Sequence, residues 1–545
     1  MALWAGCPDE LPAQPTAPPS SYCPAPDLRI GAITVERLDV FESVARGPAR
    51  WVASGANALH SRTRETVVRR ELLFREGDRC DDEALGQTER NLRALGLFRQ
   101  AEVLVLPAAG DTVDLLVRVR DAFSLRVSAG YRREGGADDW DARFGETNLA
   151  GLGHSLSLRR SHDFERDVAS VAFFDPRLFG SRERLAVAFD RRSDGQTTQV
   201  SLARPFHTVN ARWSHDIAFN ETRDHLRLYD AGTVTREWER RAVDASAGVA
   251  FRLNSRGHDQ AWRVSAGYRY QTREYWDASQ AASLFDCGPT PRRLAGPYAG
   301  LHFLSHRYVK RTGLVAPERD IDLNLGLAAD IGVMAAQRLR VLDTEPLTVV
   351  SVGLSRGWLL PGGGVAVSSG SGFIELDHSA PSQSQFSVTT RAWWPRSPLH
   401  VRAALVELRA LTNPDAGKRL YLGGTPGLRG YRQNAFSGSS SLLLVVEERR
   451  YFNWAPLGLF RPGLVVFAEG GLIDGRGRAP LAAAESAGTL HASGRVHGDV
   501  GFGLRIASLR SAGGAGIRLD VAFPLEKTTD RGRRPLVVVG YRGDF

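Results

Sequence analysis

Sulfur is scarce in this chain of 545 residues, with four cysteines and two methionines. Cys7, Cys23, Cys80 and Cys287 show no CxxC spacing and stand near no clustered histidines, which argues against a zinc site or a redox dithiol. So few thiols fit an oxidising compartment. Long hydrophobic runs are missing too: no stretch approaches the roughly 18 to 20 consecutive apolar residues that a membrane helix needs. Either the protein is soluble or it crosses a bilayer by strands. Composition does not separate the two, because a barrel that alternates lipid-facing and lumen-facing residues keeps a low mean hydropathy. Hydrophobic residues are 43% of the chain and charged residues 24%.

No block of one charge sign stands out. The net charge of +9 is spread thinly over recurring pairs such as Arg69–Arg70, Arg159–Arg160 and Arg191–Arg192, so no nucleic-acid partner is expected. No Walker loop, HExxH or dinucleotide fingerprint is present, and the thirteen histidines are isolated. No cofactor and no metal is expected. A basic start followed by an apolar core is also missing at the N-terminus. Residues 1–27 hold seven prolines and read as a disordered tail or linker. Trp4-Ala5-Gly6-Cys7 has a faint likeness to the end of a lipoprotein signal without its apolar stretch, and the expectation is that a signal was removed or lies upstream.

Residues 28–120 have the pattern of a small α/β domain. Ile30–Phe41 alternates as an opening strand. Thr63–Phe74 is amphipathic and stops at Glu76-Gly77-Asp78. A second helix starts near Asp81 or Asp82, carries Leu85, Leu92, Leu95 and Phe98 at helical spacing, and ends at Gly96. Ala101–Leu106 and Val113–Val119 read as two strands with Gly110-Asp111 as their turn. The order is strand, helix, helix, strand, strand.

From residue 121 to residue 545 the period changes to two. Ile517, Leu519, Val521, Phe523 and Leu525 alternate with Arg518, Asp520, Ala522 and Glu526. Val500, Phe502, Leu504 and Ile506 alternate with Gly501, Gly503 and Arg505. The second face is Gly, Ser, Ala and Arg, which suits a crowded or watery lumen better than the Lys, Glu and Thr of a soluble sheet. Polar stretches near 271–316, 360–372, 411–440 and 473–495 read as extracellular loops. At ~10 residues per strand plus connections, about sixteen strands fit. The fold class is therefore mainly β: an antiparallel transmembrane barrel preceded by one small α/β domain.

Several segments resemble the Omp85 superfamily of outer-membrane assembly and secretion proteins, over most of the chain from about residue 28 onward. Arg70-Glu-Leu-Leu-Phe-Arg-Glu-Gly-Asp78, Leu92-Arg-Ala-Leu-Gly-Leu-Phe98 and Ala101-Glu-Val103 resemble a POTRA domain, of which one copy is visible. Phe144-Gly-Glu-Thr-Asn-Leu-Ala-Gly-Leu-Gly153 and Phe174-Asp-Pro-Arg-Leu-Phe-Gly180 resemble early strand-and-turn motifs of the family. The most specific segment is Gly423-Gly-Thr-Pro-Gly-Leu-Arg-Gly-Tyr431, which resembles the family's loop that folds back into the barrel. The resemblance implies that Gly427, Leu428, Arg429, Gly430 and Tyr431 form that motif, with Arg429 held in the lumen. It implies an acidic partner in a Phe-x-acid-x-Gly strand, matched by Phe467, Glu469 and Gly471; the family more often has Asp there, and Val where Leu428 stands. Of Glu447, Glu448, Arg449 and Arg450, it places one Glu and one Arg in the lumen without fixing which. Val539, Tyr541 and Phe545 resemble a C-terminal assembly signal, with Gly543 where a hydrophobic residue is usual.

Each motif has a plainer reading. Arg-Gly-Tyr alone is an ordinary surface turn; the Gly-Gly before it, Phe467, Glu469 and Gly471 after it, and Phe545 at the end favour the loop reading. Gly353-Leu-Ser-Arg-Gly357 matches a hydrolase elbow, but that chemistry needs a strand, a turn and a helix around Ser355, and Trp-Leu-Leu-Pro-Gly-Gly-Gly follows. No enzyme is expected. The resemblance implies a protein of the bacterial outer membrane with its POTRA domain in the periplasm. Its implied partners are the lipid bilayer, unfolded or extended client polypeptides and periplasmic proteins. Its implied work is assembly or insertion of outer-membrane proteins or polypeptide translocation, with a dedicated secretion pore, a barrel-linked lipase and a soluble β-rich protein as rivals.

Overall fold

The computed structural model describes residues 22–25, 27–40, 61–106, 111–134, 137–206, 211–230, 233–254, 260–277, 289–305, 307–317, 319–377, 380–414, 418–424, 427–474, 496–509, 516–527 and 532–541. A small unit comes first. It has strand β1 (Arg29–Leu38), helices α1 (Glu65–Glu71) and α2 (Asp82–Ala94), then β2 (Phe98–Leu106) and β3 (Thr112–Asp121). Its sheet order is β1-β3-β2, with β1 parallel and β2 antiparallel to β3. Helix α2 begins where the Asp81 side chain accepts the Glu83 N–H, satisfying one of the donors a helix start leaves open. Gly96 follows its end with φ +69, a conformation that Gly adopts at little cost. Leu85 and Leu92 of α2 are fully buried against Leu115, Val117 and Val119 of β3.

Cys23 is disulfide-bonded to Cys80, and the backbone N–H groups of Tyr22 and Cys23 both donate to the Asp82 carboxylate. The expected loose tail of 1–27 thus does not extend over Tyr22 and Cys23, because a covalent link and a helix-start carboxylate hold them. Residues 1–21 lie outside the described residues. Tyr22 donates its hydroxyl to Glu89, and burial, with that carboxylate beside it, pushes its pKa up to about 12.

The rest is mostly one antiparallel sheet. It begins with β4 (Leu125–Glu134), β5 (Ala137–Leu149), β6 (His154–His162), β7 (Asp167–Asp175), β8 (Arg184–Arg192) and β9 (Gly195–Arg204). Longer strands follow: β10 (Trp213–Asp230), β11 (Thr233–Arg252), β12 (Gln260–Asp277) and β13 (Arg292–Ser305). A separate hairpin of β14 (Tyr308–Thr312) and β15 (Asp320–Asn324) intervenes. The sheet resumes with β16 (Leu327–Ala336), β17 (Leu347–Leu360), β18 (Gly364–Asp377), β19 (Ala380–Ser397) and β20 (His400–Thr412). After a second small hairpin, β21 (Leu420–Leu422) with β22 (Phe436–Gly438), it ends with β23 (Ser440–Tyr451), β24 (Phe460–Asp474), β25 (Val496–Ser508), β26 (Gly516–Pro524) and β27 (Leu536–Tyr541). Strand β27 returns beside β4, so the strand order is circular.

The sheet has twenty strands, not the sixteen expected. Two segments read as loops are strands: 271–316 contains the end of β12, all of β13 and β14, and 360–372 contains the start of β18. Gly364-Val-Ala-Val-Ser-Ser-Gly-Ser-Gly-Phe lacks bulky alternation because small residues serve both faces there. Connections are also shorter than assumed, with Arg192 paired to Gly195 and Ser397 to His400 across two-residue turns. Residues 475–495 of the last expected loop lie outside the described residues.

Alternation sorts the side chains by face. In β23, Leu442, Leu444 and Val446 are 36%, 45% and 47% exposed, while Leu443, Val445 and Glu447 between them are 2–3%. Val187, Ile217, Val249, Leu301, Val352, Leu408, Val466 and Phe502 continue the exposed apolar belt round the sheet. Such a belt is a poor surface in water and a natural one in hydrocarbon. No helix among the described residues is long and apolar enough to cross a membrane. The small unit meets the sheet at its lower end, the end that carries the β5–β6, β7–β8 and β13–β16 connections, through Arg64 N–H to Gly151 O, Arg177 to Glu71 and Arg93 to Asp322.

Replacing both Cys23 and Cys80 by Ser is expected to lower the stability of the small unit by about 2–4 kcal/mol. Pulse proteolysis reads this as faster cleavage before residue 120, with the sheet still resistant. Equal cleavage of both proteins would remove the disulfide's structural role.

Candidate functional site

The connection from β20 to β23 turns inward. Within it Gly423, Gly424, Gly427 and Leu428 all have positive φ, the last at 67°. Gly423 N–H donates to Gly427 O at 3.0 Å, Gly424 N–H to Leu428 O at 3.1 Å, and Tyr431 N–H to Leu428 O at 3.1 Å. This compact knot places Leu428, Arg429 and Tyr431 against the inner face of β23–β26, with 0%, 7% and 1% exposure.

Arg429 meets three carboxylates from three strands. Its Nε lies 2.8 Å from Glu469 of β24, its Nη1 2.9 Å from Asp520 of β26, and its Nη2 donates to Glu447 of β23. Its backbone N–H also donates to Glu469, at 2.6 Å. Burial works against the charge, but the three carboxylates hold the guanidinium's pKa well above its ordinary value. Its plane lies over the Phe467 ring, 4.1 Å from the centroid. A Cβ at Gly471 would come within 2.8 Å of Leu428, so the small residue leaves room for the loop. Phe467, Glu469 and Gly471 thus act on the loop in three ways: one stacks, one accepts and one yields space.

A second ring of charge surrounds the first. Arg449 donates to Glu447 at 2.7 Å, and Arg505 pairs with Asp520. Gly430 N–H donates to Asp499 at 2.9 Å, and the Tyr431 hydroxyl donates to Gly498 O at 2.9 Å. Of the Glu447–Arg450 quartet, Glu447 and Arg449 face inward and are buried. Glu448 instead pairs with His400 and Arg402. The sequence does not assign Glu447 and Asp520 as partners of Arg429, nor Asp499 as the acceptor of the Gly430 N–H. Asp520 reads as part of the polar face of its strand, but which residues face each other depends on register, which no local pattern states.

On its other side the loop reaches across the lumen. Tyr229 N–H of β10 donates to the Tyr421 hydroxyl at 3.3 Å, and the two rings meet edge to face at 6.0 Å. Strand β10 stands nine places from β23 in a circular order of twenty, almost diametrically opposite. From below, the β14–β15 hairpin rises into the opening. Leu314 at its turn is 1% exposed and packs on Trp393, Val401 and Ala403, all on the inner face. Asp322 of this hairpin is 2.9 Å from Arg93 of α2, and Arg90 lies over the Tyr308 ring at 5.1 Å.

The two early motifs meet at the junction with the small unit. Asn148 donates to Ser61 O and Thr63 Oγ1, each at 2.8 Å. Arg177 clamps Glu71 of α1, with Nε 2.6 Å from Oε1, and both side chains are buried. At the other end of the chain, Val539 pairs with Leu519 and Tyr541 with Ile517. Phe545 lies outside the described residues.

Ser355 sits in mid-strand, opposite Ala328 and Ser369, without the turn and helix of an elbow. A separate chain runs from Ser265 Oγ to His302 Nε2 at 2.8 Å and from His302 Nδ1 to Asp330 at 2.6 Å. Strands β12, β13 and β16 are paired on both sides, so their amides serve the ladders rather than an oxyanion. The chain reads as a polar ladder across the inner wall. Among the described residues no group of three His, Cys, Asp or Glu could hold a metal ion.

No family model matches the chain. One curated protein, the outer membrane protein assembly factor BamA of Neisseria meningitidis serogroup B, is 34% identical over 128 residues, 22% of this chain. That match spans only 16% of the relative's length. Among solved structures, BamA from Haemophilus ducreyi lacking POTRA domains 1–3 is 13% identical, covering 94% of this chain and 84% of that one at a TM-score of 0.39. CdiB from Escherichia coli is 12% identical, covering 95% and 76%, at 0.46. The local sequence match supports an outer-membrane protein of the Omp85 kind.

Arg429→Ala leaves Glu447, Glu469 and Asp520 buried around a lost charge and is expected to cost about 3–5 kcal/mol. The readout is the temperature at which the compact gel species converts to the slow one. Arg432→Ala is expected to cost well under half of that, and equal effects would remove the assignment. Leu314→Asp, which puts a charge into the apolar seat of the hairpin, is expected to raise single-channel conductance; an unchanged trace would mean the hairpin does not obstruct the lumen.

Proposed function

We propose that this outer-membrane protein of the Omp85 kind is an assembly factor that inserts client polypeptides, its small unit acting as a POTRA-type domain in the periplasm and its sheet closed as a barrel. The observation that carries this reading is the obstructed axis. The Arg429 loop lies across the lumen between β23–β26 and β10, and the β14–β15 hairpin is seated in the lower opening. A through-pore wants a clear axis; an insertase wants a side exit.

The seam between β27 and β4 supplies that exit. There the first and last strands of the sheet lie side by side with no turn joining them. In the small unit β2 lies at the edge of the sheet, where an extended client can add by main-chain hydrogen bonds without demanding a particular sequence. The client would pass from β2 to the seam and pair there before its own strands close.

The secretion-pore reading keeps one supporting feature, the hairpin's tie to α2 through Arg93 and Asp322, which could release the lower opening when the small unit binds a substrate. The test sets the two against each other. Disulfides engineered across β4 and β27 are expected to abolish folding of a client barrel in proteoliposomes while leaving conductance unchanged. Full client folding with the seam locked would overturn the insertase reading.

A further inference from the structure

The lower rim of the sheet carries more positive charge than its neighbours neutralise. The connection from β7 to β8, the strand ends beside it and the end of α1 gather Arg70, Arg177, Arg182, Arg184 and Arg204 around three carboxylates, Glu71, Asp175 and Glu183. Each is already engaged: Glu71 by Arg177, Asp175 by the Arg177 backbone N–H at 2.8 Å and by His154 at 3.5 Å, and Glu183 by His215 at 2.9 Å. Arg70 rests on the connection, since a Cβ at Gly180 would come within 3.1 Å of its guanidinium.

Three donors in this group are buried with no acceptor: Arg177 Nη1, Arg182 Nη1 and Arg204 Nε. A buried N–H without a partner costs about 1–3 kcal/mol, more when charged, so three together on cations that repel one another point to an acceptor with several oxygens and negative charge. Burial, and then the neighbouring Arg177, hold the Arg182 pKa below its ordinary value, a penalty that an anion would reverse.

The surroundings say which anion. Arg204 lies 4.5 Å from the centroid of the Trp213 ring. Trp213 is 39% exposed and precedes Ile217 and Phe219 on the outer, apolar face of β10. An outward tryptophan with a stacked arginine at the end of an apolar strand marks the level of lipid headgroups. Phe179, at the tip of the same connection, is 97% exposed and has φ 52, an uncommon conformation for a bulky residue.

We propose that Arg182 and Arg204, beside Trp213 at the lower rim, bind the phosphate of an anionic phospholipid headgroup, one whose charge no choline offsets, in the inner leaflet of the outer membrane. Guanidinium forks suit phosphate oxygens two at a time. Arg177 stands behind them with its remaining N–H, fixed by Glu71. Since Glu71 belongs to α1, a headgroup held here would sit against the joint between the small unit and the sheet, and would set the depth at which that joint meets the membrane. The inference rests on the membrane orientation given above, with the small unit in the periplasm.

The test uses the full chain in nanodiscs of equal parts phosphatidylglycerol and phosphatidylcholine, released into native mass spectrometry. The wild type is expected to retain phosphatidylglycerol preferentially. Arg182→Gln with Arg204→Gln is expected to lower that preference about tenfold, a change of ~1.4 kcal/mol, and Arg182→Lys with Arg204→Lys to restore part of it. No preference in a wild type that still shows heat-modifiable migration would overturn the site while leaving the barrel reading intact. Binding of inorganic phosphate in detergent without any lipid preference would overturn it too, by assigning the arginines to a free anion. A wild type that fails to enter nanodiscs sinks the membrane reading, and this inference with it.

Discussion

One guanidinium sets the geometry of the upper half of the molecule. Arg429 is buried, and a buried charge is tolerated only where it is paired and hydrogen-bonded. Its partners come from β23, β24 and β26, so its pairing is also a constraint on how those strands register. A one-residue slip of any of them would turn its carboxylate to the outer face, into the apolar belt. Conversely the loop's positive-φ turn at Gly427 and Leu428 is held because the wall behind it supplies the acids and the space at Gly471. Loop and wall therefore specify each other.

A second buried arginine does the same at the lower end. Arg177, on the connection between β7 and β8, closes on Glu71 of α1, and Asn148 ties the β5–β6 connection to the segment before α1. Both resembling motifs, at 144–153 and 174–180, thus run from a strand of the sheet into the joint. The joint and the lumen loop share a principle: an arginine on a connecting segment reaches a carboxylate on another element, and the pair locks a segment whose own backbone hydrogen bonds would leave it loose.

What could be read from the sequence was local. Alternation of period two in Ile517–Leu525 needs no partner to be seen, and the Gly96 stop of α2 is chemistry of one turn. The strand count was not legible, because β10–β13 run well beyond the apolar belt. There Glu221, Arg223 and Arg241 pair with each other on the outer side, and such stretches look like loops to any hydrophobic pattern. The start of β18, Gly364–Gly372 within the stretch 360–372 read as a loop, is illegible for the opposite reason, its residues being too small on both faces to show bulky alternation. At the site, Arg429 and Glu469 were legible through a motif that joins two distant segments, whereas Asp520, Glu447 and Asp499 required the register. The Cys23–Cys80 bond was invisible for the same cause: 57 residues separate its ends, and spacing alone does not bring them together.

The energetics of the seam bear on how an insertase would open. At roughly 1 kcal/mol net per hydrogen bond, a hairpin such as β10–β11, with eighteen residue pairs, resists parting along its length and is tethered by its turn as well, whereas β4 and β27 are neighbours with no turn between them. Opening in hydrocarbon adds a penalty, since bare N–H and C=O groups find no water there. That penalty disappears only if another strand occupies the gap as it opens. A seam with no turn to tether it, in a solvent that forbids it to stay bare, would couple opening to the arrival of a client strand, and would do so without any residue that recognises the client's side chains.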